Sequence, residues 1–299
     1  MKLLITGGSG FVGRELCRQL VERGHQLIVL SRTPRKAAPH LPSEVRLISS
    51  LDEVADDEPI DGLINLAGEG IANRRWSSAR KAVLLDSRIS VTTALAQLVD
   101  RLKQKPTVLV NGSAVGFYGD AGGLELTEKS PAARRDFTYL LCDAWEQAAR
   151  EIGKRGLRVC ILRIGVVLGH GGMLARLLPV YRLGLGARLG TGQQWFSWIH
   201  LQDLVALLIY SVEENSAQGV YNAVAPQPLT HGEFHQALAR ACRRPALLST
   251  PALALKLALG EMSVLLLGGQ RVLPARLNNE GFNFRYPLMD QALADLCQK

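Results

Sequence analysis

The sequence predicts an α/β fold: a doubly wound parallel sheet followed by a smaller, substrate-facing C-terminal part. Three observations predict it. Apolar runs alternate with stretches of helical periodicity through roughly the first half of the chain. Several of the runs are continuous, as strands buried on both faces should be. A glycine-rich turn, "TGGSGFVG", joins the first run to the first helical stretch.

The strands are expected at Lys2–Thr6, Gln26–Ser31, Val45–Ile48, Gly62–Leu66, Thr107–Asn111 and Val159–Ile164. Helices are expected between them at Phe11–Arg23, Ala79–Arg101 and Phe137–Arg155. Repeated strand-helix-strand order implies parallel strands with helices on both faces. After residue 168 the period loosens and glycine becomes frequent. "WIHLQDLVALLIYSVEE" reads as a helix entry, "GVYNAVA" as one more strand, and "THGEFHQALARAC" as a helix. The expected division is a nucleotide-binding unit over 1–168, its sheet completed by about 219–225. A substrate-facing part is expected over 169–218 and 226–299.

The chain has 299 residues, of which 47% are hydrophobic and 21% charged. That excludes disorder and allows one large unit or two unequal ones. Its net charge of +8 comes in small groups such as Arg74-Arg75 and Arg134-Arg135. Such dispersal favours small anions over a nucleic-acid surface. Cys17, Cys142, Cys160, Cys242 and Cys297 are scattered with no C-x-x-C pair. A disulfide framework and a thiolate zinc site are therefore not expected, and a reducing cytoplasm is. Met1-Lys2 runs directly into a strand, which does not read as a signal peptide. The apolar stretch Pro251–Gly269 is interrupted by Lys256, Gly260 and Glu261, so it is expected as a buried helix and not a membrane span. No membrane partner and no nucleic-acid partner are expected; a small-molecule substrate is, and a homodimer is compatible with the sequence.

The glycine turn contains Gly8-x-Gly10-x-x-Gly13 and Gly7-x-x-Gly10-x-x-Gly13. It follows a strand and opens an amphipathic helix, the context of a Rossmann dinucleotide loop. Early glycines allow the tight turn, Gly10 lets backbone approach a pyrophosphate, and Gly13 lets helix pack on strand. An NAD site usually carries an acidic residue at the end of the second strand, about 20 residues beyond the glycines. Here that strand ends in Ser31 and Arg32, with Arg35 and Lys36 close by and no carboxylate. NADP(H) is therefore expected over NAD(H). The fourth strand ends at Leu66, Ala67 and Gly68, whose small size suits a ligand crossing the sheet's carboxyl edge.

With "NLAGEGI", "SAVGFYGD", "LRIGVVLG" and "WIHLQDL" in this order, the chain resembles the extended short-chain dehydrogenase/reductases. More narrowly it resembles their atypical epimerase-like branch, the YfcH-like proteins. "RLGLGARLGTGQQWFSWIH" and the C-terminal "GGQRVLPARLNNEGFNFRYPL" extend the likeness over essentially the whole chain. The resemblance implies a Rossmann domain, NADP(H) binding, and a small C-terminal domain of unknown function over about 249–297. It points to Gly7, Ser9, Gly10, Phe11, Val12, Gly13, Ser31, Arg32, Leu66, Ala67 and Gly68 as the cofactor loop and edge. It adds Arg88, Gly165 and Val166 as cofactor neighbours.

The wider superfamily oxidises hydroxyls with a Tyr-x-x-x-Lys pair, the lysine lowering the phenol's pKa. Here Tyr139 is followed by Asp143 at that spacing, an anion that would act the wrong way. Aligning on Glu146 instead puts Thr138 and Cys142 at the two positions. Neither register supplies the pair. Ser113, Tyr118 and Tyr139 are the weak catalytic candidates, with Ala114 competing for the serine position. Glu69, Trp198 and His200 are the substrate-pocket candidates, and Trp76 and Trp195 join Trp198 as residues that wall a pocket or pack a core. His200 and Asp203 read more readily as a turn and helix start. His231 and His235 have i, i+4 spacing, but "THGE" is a capping box and no third metal ligand is evident.

Two functional readings follow. One is an epimerase-like, NADP-dependent oxidoreductase that moves a hydride on a small carbonyl, hydroxyl or nucleotide-sugar-like substrate. The other is a non-catalytic NADP(H)-binding sensor or regulatory protein, which the missing pair favours.

Overall fold

The computed structural model describes residues 1–297; the last two residues of the expected substrate-facing part lie outside them. Seven strands form the main sheet: β1 (Lys2–Thr6), β2 (Gln26–Leu30), β3 (Arg46–Ile48), β4 (Gly62–Asn65), β5 (Val108–Ala114), β6 (Arg158–Ile164) and β7 (Gly219–Ala223). Their order is β7-β6-β5-β4-β1-β2-β3, and every neighbouring pair is parallel. The order reverses between β1 and β4, which opens a crevice at their carboxyl ends.

The helices are α1 (Phe11–Glu22), α2 (Ser78–Arg101), α3 (Phe137–Gly153), α4 (Gly172–Arg182), α5 (Leu201–Glu213), α6 (His231–Ala241), α7 (Ala252–Leu259) and α8 (Met289–Cys297). Apolar residues of β1, α1 and α5 pack one face of the sheet: Leu3, Ile5, Leu16, Leu20, Leu204 and Leu208 are all fully buried. Leu4, Leu63, Leu95, Leu98, Leu109 and Ile152 pack the other. A separate cluster, including Leu174, Tyr181, Trp198, Phe234, Leu238 and Leu293, holds α4, α6 and α8 together.

Strand positions follow the sequence pattern closely, with one extension. β5 runs on to Ala114 because β6 is long enough to pair with it through Ala114↔Ile164. Two expectations are corrected. Helix α5 lies within the span expected to face substrate, yet it packs on the main sheet. It is the crossover between β6 and β7, and a parallel crossover must return across the sheet face. The stretch Pro251–Gly269 is not a buried helix. It breaks into α7, a 3-10 turn at Gly260–Ser263 and a helical turn at Val264–Leu267. α7 has no buried residue, and Leu253 and Leu257 are 68% and 71% exposed. The packing falls on the last residue of α7 and the turns after it, where Leu259, Met262, Val264 and Leu265 meet Trp76, Leu84 and Leu141. Among the described residues one helix, α2, is long and apolar enough to cross a membrane.

Candidate active site

The site begins at the turn after β1. Gly7 sits at φ +74, and a Cβ there would lie 2.6 Å from the Leu66 carbonyl. A Cβ on Gly13 would lie 2.3 Å from the Gly7 oxygen, so only glycine lets α1 press against the turn. Helix α1 starts from Gly10 with no side-chain cap and no acidic residue in its first turn. By contrast, Ser77, Asp136, His200 and Thr230 each cap a later helix with a side-chain oxygen or nitrogen. The first amides of α1 are thus left facing the crevice, with the positive end of the helix dipole behind them.

A cavity of about 710 Å³ opens there. Gly7, Ser9, Gly10, Ser31, Arg32, Leu66, Ala67, Gly68 and Glu69 all line it. Ser31 is buried and its Oγ accepts the Thr33 amide, while the Arg32 side chain is 91% exposed. No carboxylate stands at the end of β2, but two reach the cavity from elsewhere, Glu69 and Asp86. Glu69 lies 3.2 Å from Arg80 and 3.9 Å from Arg32, so its charge is shared between two guanidinium groups. Phe11, Val12 and Gly13 do not line this cavity. The Phe11 ring packs on Gly169, Gly171 and Gly172, and Val12 packs against the core.

A second cavity of about 280 Å³ lies at the carboxyl ends of β5 and β6. Arg88, Ser113, Ala114, Gly165 and Val166 line it, together with Thr138, Cys142 and Trp145 from α3. Arg88 stands between the two cavities. Its guanidinium is against Gly68 on one side and 5.1 Å from the Trp145 ring on the other. Burial pushes its pKa down, and it donates to the carbonyl oxygens of Leu84 and Glu69. The turn Val264–Leu267, with Gly268 and Gln270, covers the cavity from the C-terminal side.

The structure chooses between the two helical registers: Thr138 and Cys142 face the cavity. Tyr139 packs on Phe117, ring centroids 5.5 Å apart, with Arg135 over its ring. Burial holds the Cys142 thiol up at about 11. Tyr118 is fully buried and its hydroxyl is enclosed by Asn222, Arg163 and the Thr127 carbonyl. Burial raises its pKa against the pull of Arg163. It is a packed residue and lines neither of these two cavities, so the packing reading holds for both tyrosines over the catalytic one. For Trp198 the packing alternative holds and for His200 the helix-start reading holds, so neither serves as a pocket residue of the two cavities. Trp198 is 1% exposed in the C-terminal core, donating to the Gln227 carbonyl. His200 is 2% exposed and accepts the Gln202 amide at the start of α5. Asp203 accepts the amides of Arg285 and Tyr286, which ties the C-terminal segment to α5. Trp76 packs on Phe137, and Trp195 lies under Arg271. The tryptophan that walls the cavity is Trp145, which the sequence pattern did not single out. Thr230 and Glu233 form the expected capping box, and His235 Nδ1 meets the Tyr181 hydroxyl at 2.7 Å.

Behind Ser113 lies a buried polar row missed in the sequence. Ser113 Oγ donates to Glu146 at 2.8 Å. Arg163 grips the same carboxylate through Nε at 2.8 Å and a terminal nitrogen at 3.0 Å. Arg163 then donates to Tyr118, which donates to Asn222 on β7. A charged residue inside the apolar run "VCILRIG" was the available signal. A second row, Thr6, Asn65 and Asn111, links β1, β4 and β5 side by side.

The geometry is a crevice at the carboxyl ends of β1, β2 and β4, joined through Arg88 to a second cavity at the ends of β5 and β6. Residues 3–223 match the NAD dependent epimerase/dehydratase family. The chain belongs to that family. Residues 250–296 match a domain of unknown function, DUF1731. The epimerase-family chain is 37% identical to epimerase family protein YfhF of Bacillus subtilis, over 99% of this chain and 98% of that protein. The crystal structure of human epimerase family protein SDR39U1 (isoform2) with NADPH superposes with a TM-score of 0.90 at 35% identity, covering 99% of both chains. A nucleoside-diphosphate sugar epimerase from Corynebacterium glutamicum superposes at 0.76 and 32% identity, covering 98% of this chain and 57% of that one.

Proposed function

We propose that the protein is an NADP(H)-preferring, epimerase-like oxidoreductase that transfers a hydride to or from a small substrate. The observation that carries this reading is the uncapped start of α1 opening onto a cavity rimmed by Ser31 and Arg32. Backbone amides from Gly7 to Val12 would hold the pyrophosphate, which explains why Phe11 and Val12 need not turn their side chains to it. Ser31 and Arg32 would hold the 2′-phosphate. Arg88, Gly165 and Val166 would border the nicotinamide. When bound, the reduced cofactor supplies the hydride. The NADPH in the human relative supports the same preference.

Hydrogen bonds to charged groups are worth about 1.5–3 kcal/mol. Arg32→Ala is therefore expected to weaken NADPH roughly tenfold or more and leave NADH unchanged. Titration calorimetry with both cofactors measures it; an unchanged ratio of affinities removes the NADP assignment.

The sensor reading is favoured by one observation, that Thr138 and Cys142 occupy the positions of the usual acid/base pair. Incubation with NADPH and pools of carbonyl compounds and nucleotide sugars separates the two. Turnover in any pool supports the oxidoreductase. Tight cofactor binding without turnover in every pool supports the sensor.

A further inference from the structure

The second cavity constrains the substrate, on the reading that the protein moves a hydride. At about 280 Å³ it falls at the lower edge of pockets that take drug-sized ligands, about 300–1,000 Å³. The nicotinamide ring must share it. Its walls are apolar, with Ile71, Leu141, Trp145, Val166, Val264 and Leu265 contributing. Arg88 is the single charged residue in the lining, too little to hold a pyrophosphate. Among the described residues Arg88 has no carboxylate within ion-pair distance.

Proton supply narrows the choice. Adding a hydride to an isolated ketone or aldehyde makes an alkoxide, a strong base that needs an acid beside it. The hydroxyl protons in the lining are already committed to carboxylates. Ser113 donates to Glu146 at 2.8 Å and Thr138 donates to Asp136 at 2.6 Å. The tyrosines lie elsewhere. The Cys142 thiol, held up at about 11, and the Gln270 amide are the other proton carriers in the lining, and the one fixed charge offered to a developing oxyanion is Arg88, which acts strongly in apolar surroundings.

We propose that the substrate is a small, flat, conjugated carbonyl compound of the enone class. In the step, a C–H bond forms at the carbon conjugated to the carbonyl as hydride leaves the dihydronicotinamide. The C=C pair shifts to give an enolate, its charge on oxygen opposite Arg88. Water then supplies a proton to carbon. The substrate is reduced by two electrons and NADPH is oxidised to NADP⁺. A delocalised enolate or phenolate is a far weaker base than an alkoxide and does not need an acid from the protein.

Two measurements on the full chain test this. The first compares NADPH oxidation with cyclohex-2-enone against cyclohexanone, which differ by the conjugated double bond. At least a tenfold preference for the enone is expected; a preference for cyclohexanone, or turnover of UDP-glucose alone, overturns the proposal while hydride transfer stands. The second needs no turnover. 4-Nitrophenol is titrated with the protein saturated in NADP⁺, following its coloured phenolate, with 4-nitrotoluene as the neutral isostere. The phenolate is expected to bind about tenfold more tightly than the neutral phenol, and Arg88→Met to abolish the difference. The melting temperature and NADPH affinity of that variant are measured alongside. Equal binding of phenolate, phenol and nitrotoluene by the unaltered protein overturns the proposal. Selective phenolate binding with no turnover of any carbonyl upholds the anion site and removes hydride transfer.

Discussion

At the scale of single residues, Glu146 is the most consequential group outside the cavities. It is fully buried, paired with Arg163 on β6, and accepts the proton of Ser113 at the cavity wall. Arg163 is 3% exposed, so neither partner has water to fall back on. Removing one member of a buried pair costs about 3–5 kcal/mol, because the other charge is left alone. Glu146→Ala is expected to lower unfolding stability by about that amount. Urea denaturation measures it, and a loss under about 1 kcal/mol contradicts the pairing shown here. None of these partners was readable from spacing. Ser113, Glu146 and Arg163 lie on three different elements, and only the register Ser113↔Arg163 brings the strands' polar positions together.

Whole elements carry the pH response. His200 precedes α5 and His231 opens α6, and burial pulls both down to about 4 from the ordinary 6.5. The nearby Asp295 opposes this at His200 without reversing it. A histidine with a depressed folded pKa binds protons more readily when unfolded. Its contribution to stability is complete above about 6.5 and drains away as pH falls toward about 4. The melting temperature should therefore fall between pH 7 and pH 4.5, and the combined variant His200→Asn, His231→Asn should fall less steeply. Equal slopes would exclude these two side chains as the cause. The caps at these elements were legible in sequence because capping is local: Thr230 and Glu233 need only their own spacing. The fate of "PALALKLAL" was not, since its composition suits burial and only the packing of later residues on Trp76 leaves it outside.

Over the whole molecule, the cofactor crevice is assembled from β1, β2, β4 and α2, so its occupant would join elements far apart in sequence. NADPH at a hundred times its dissociation constant should stabilise the fold by ~2.7 kcal/mol and raise the melting temperature by roughly 5 °C. Differential scanning calorimetry with and without NADPH checks it; no shift would mean the crevice does not bind it. The architecture was legible because a doubly wound sheet repeats one unit, an apolar strand and an amphipathic helix. The glycine turn was legible because its constraints are steric and local. The second cavity was not, because it is formed where β5, β6, α3 and the C-terminal turn meet. Trp145, Thr138 and Cys142 acquire their role only through that meeting.

The bare start of α1 sets stability against activity. At Gly10 a Cβ would press on the Gly7 oxygen at 3.1 Å, a contact that requires the turn to give by a few tenths of an ångström. Glycine is itself an accepted N-cap, so Asp in its place is worth only about a few tenths of a kcal/mol. Gly10→Asp would place a carboxylate where the proposed pyrophosphate must lie. The bare amides that suit an anion are thus lost to any capping side chain placed at this residue.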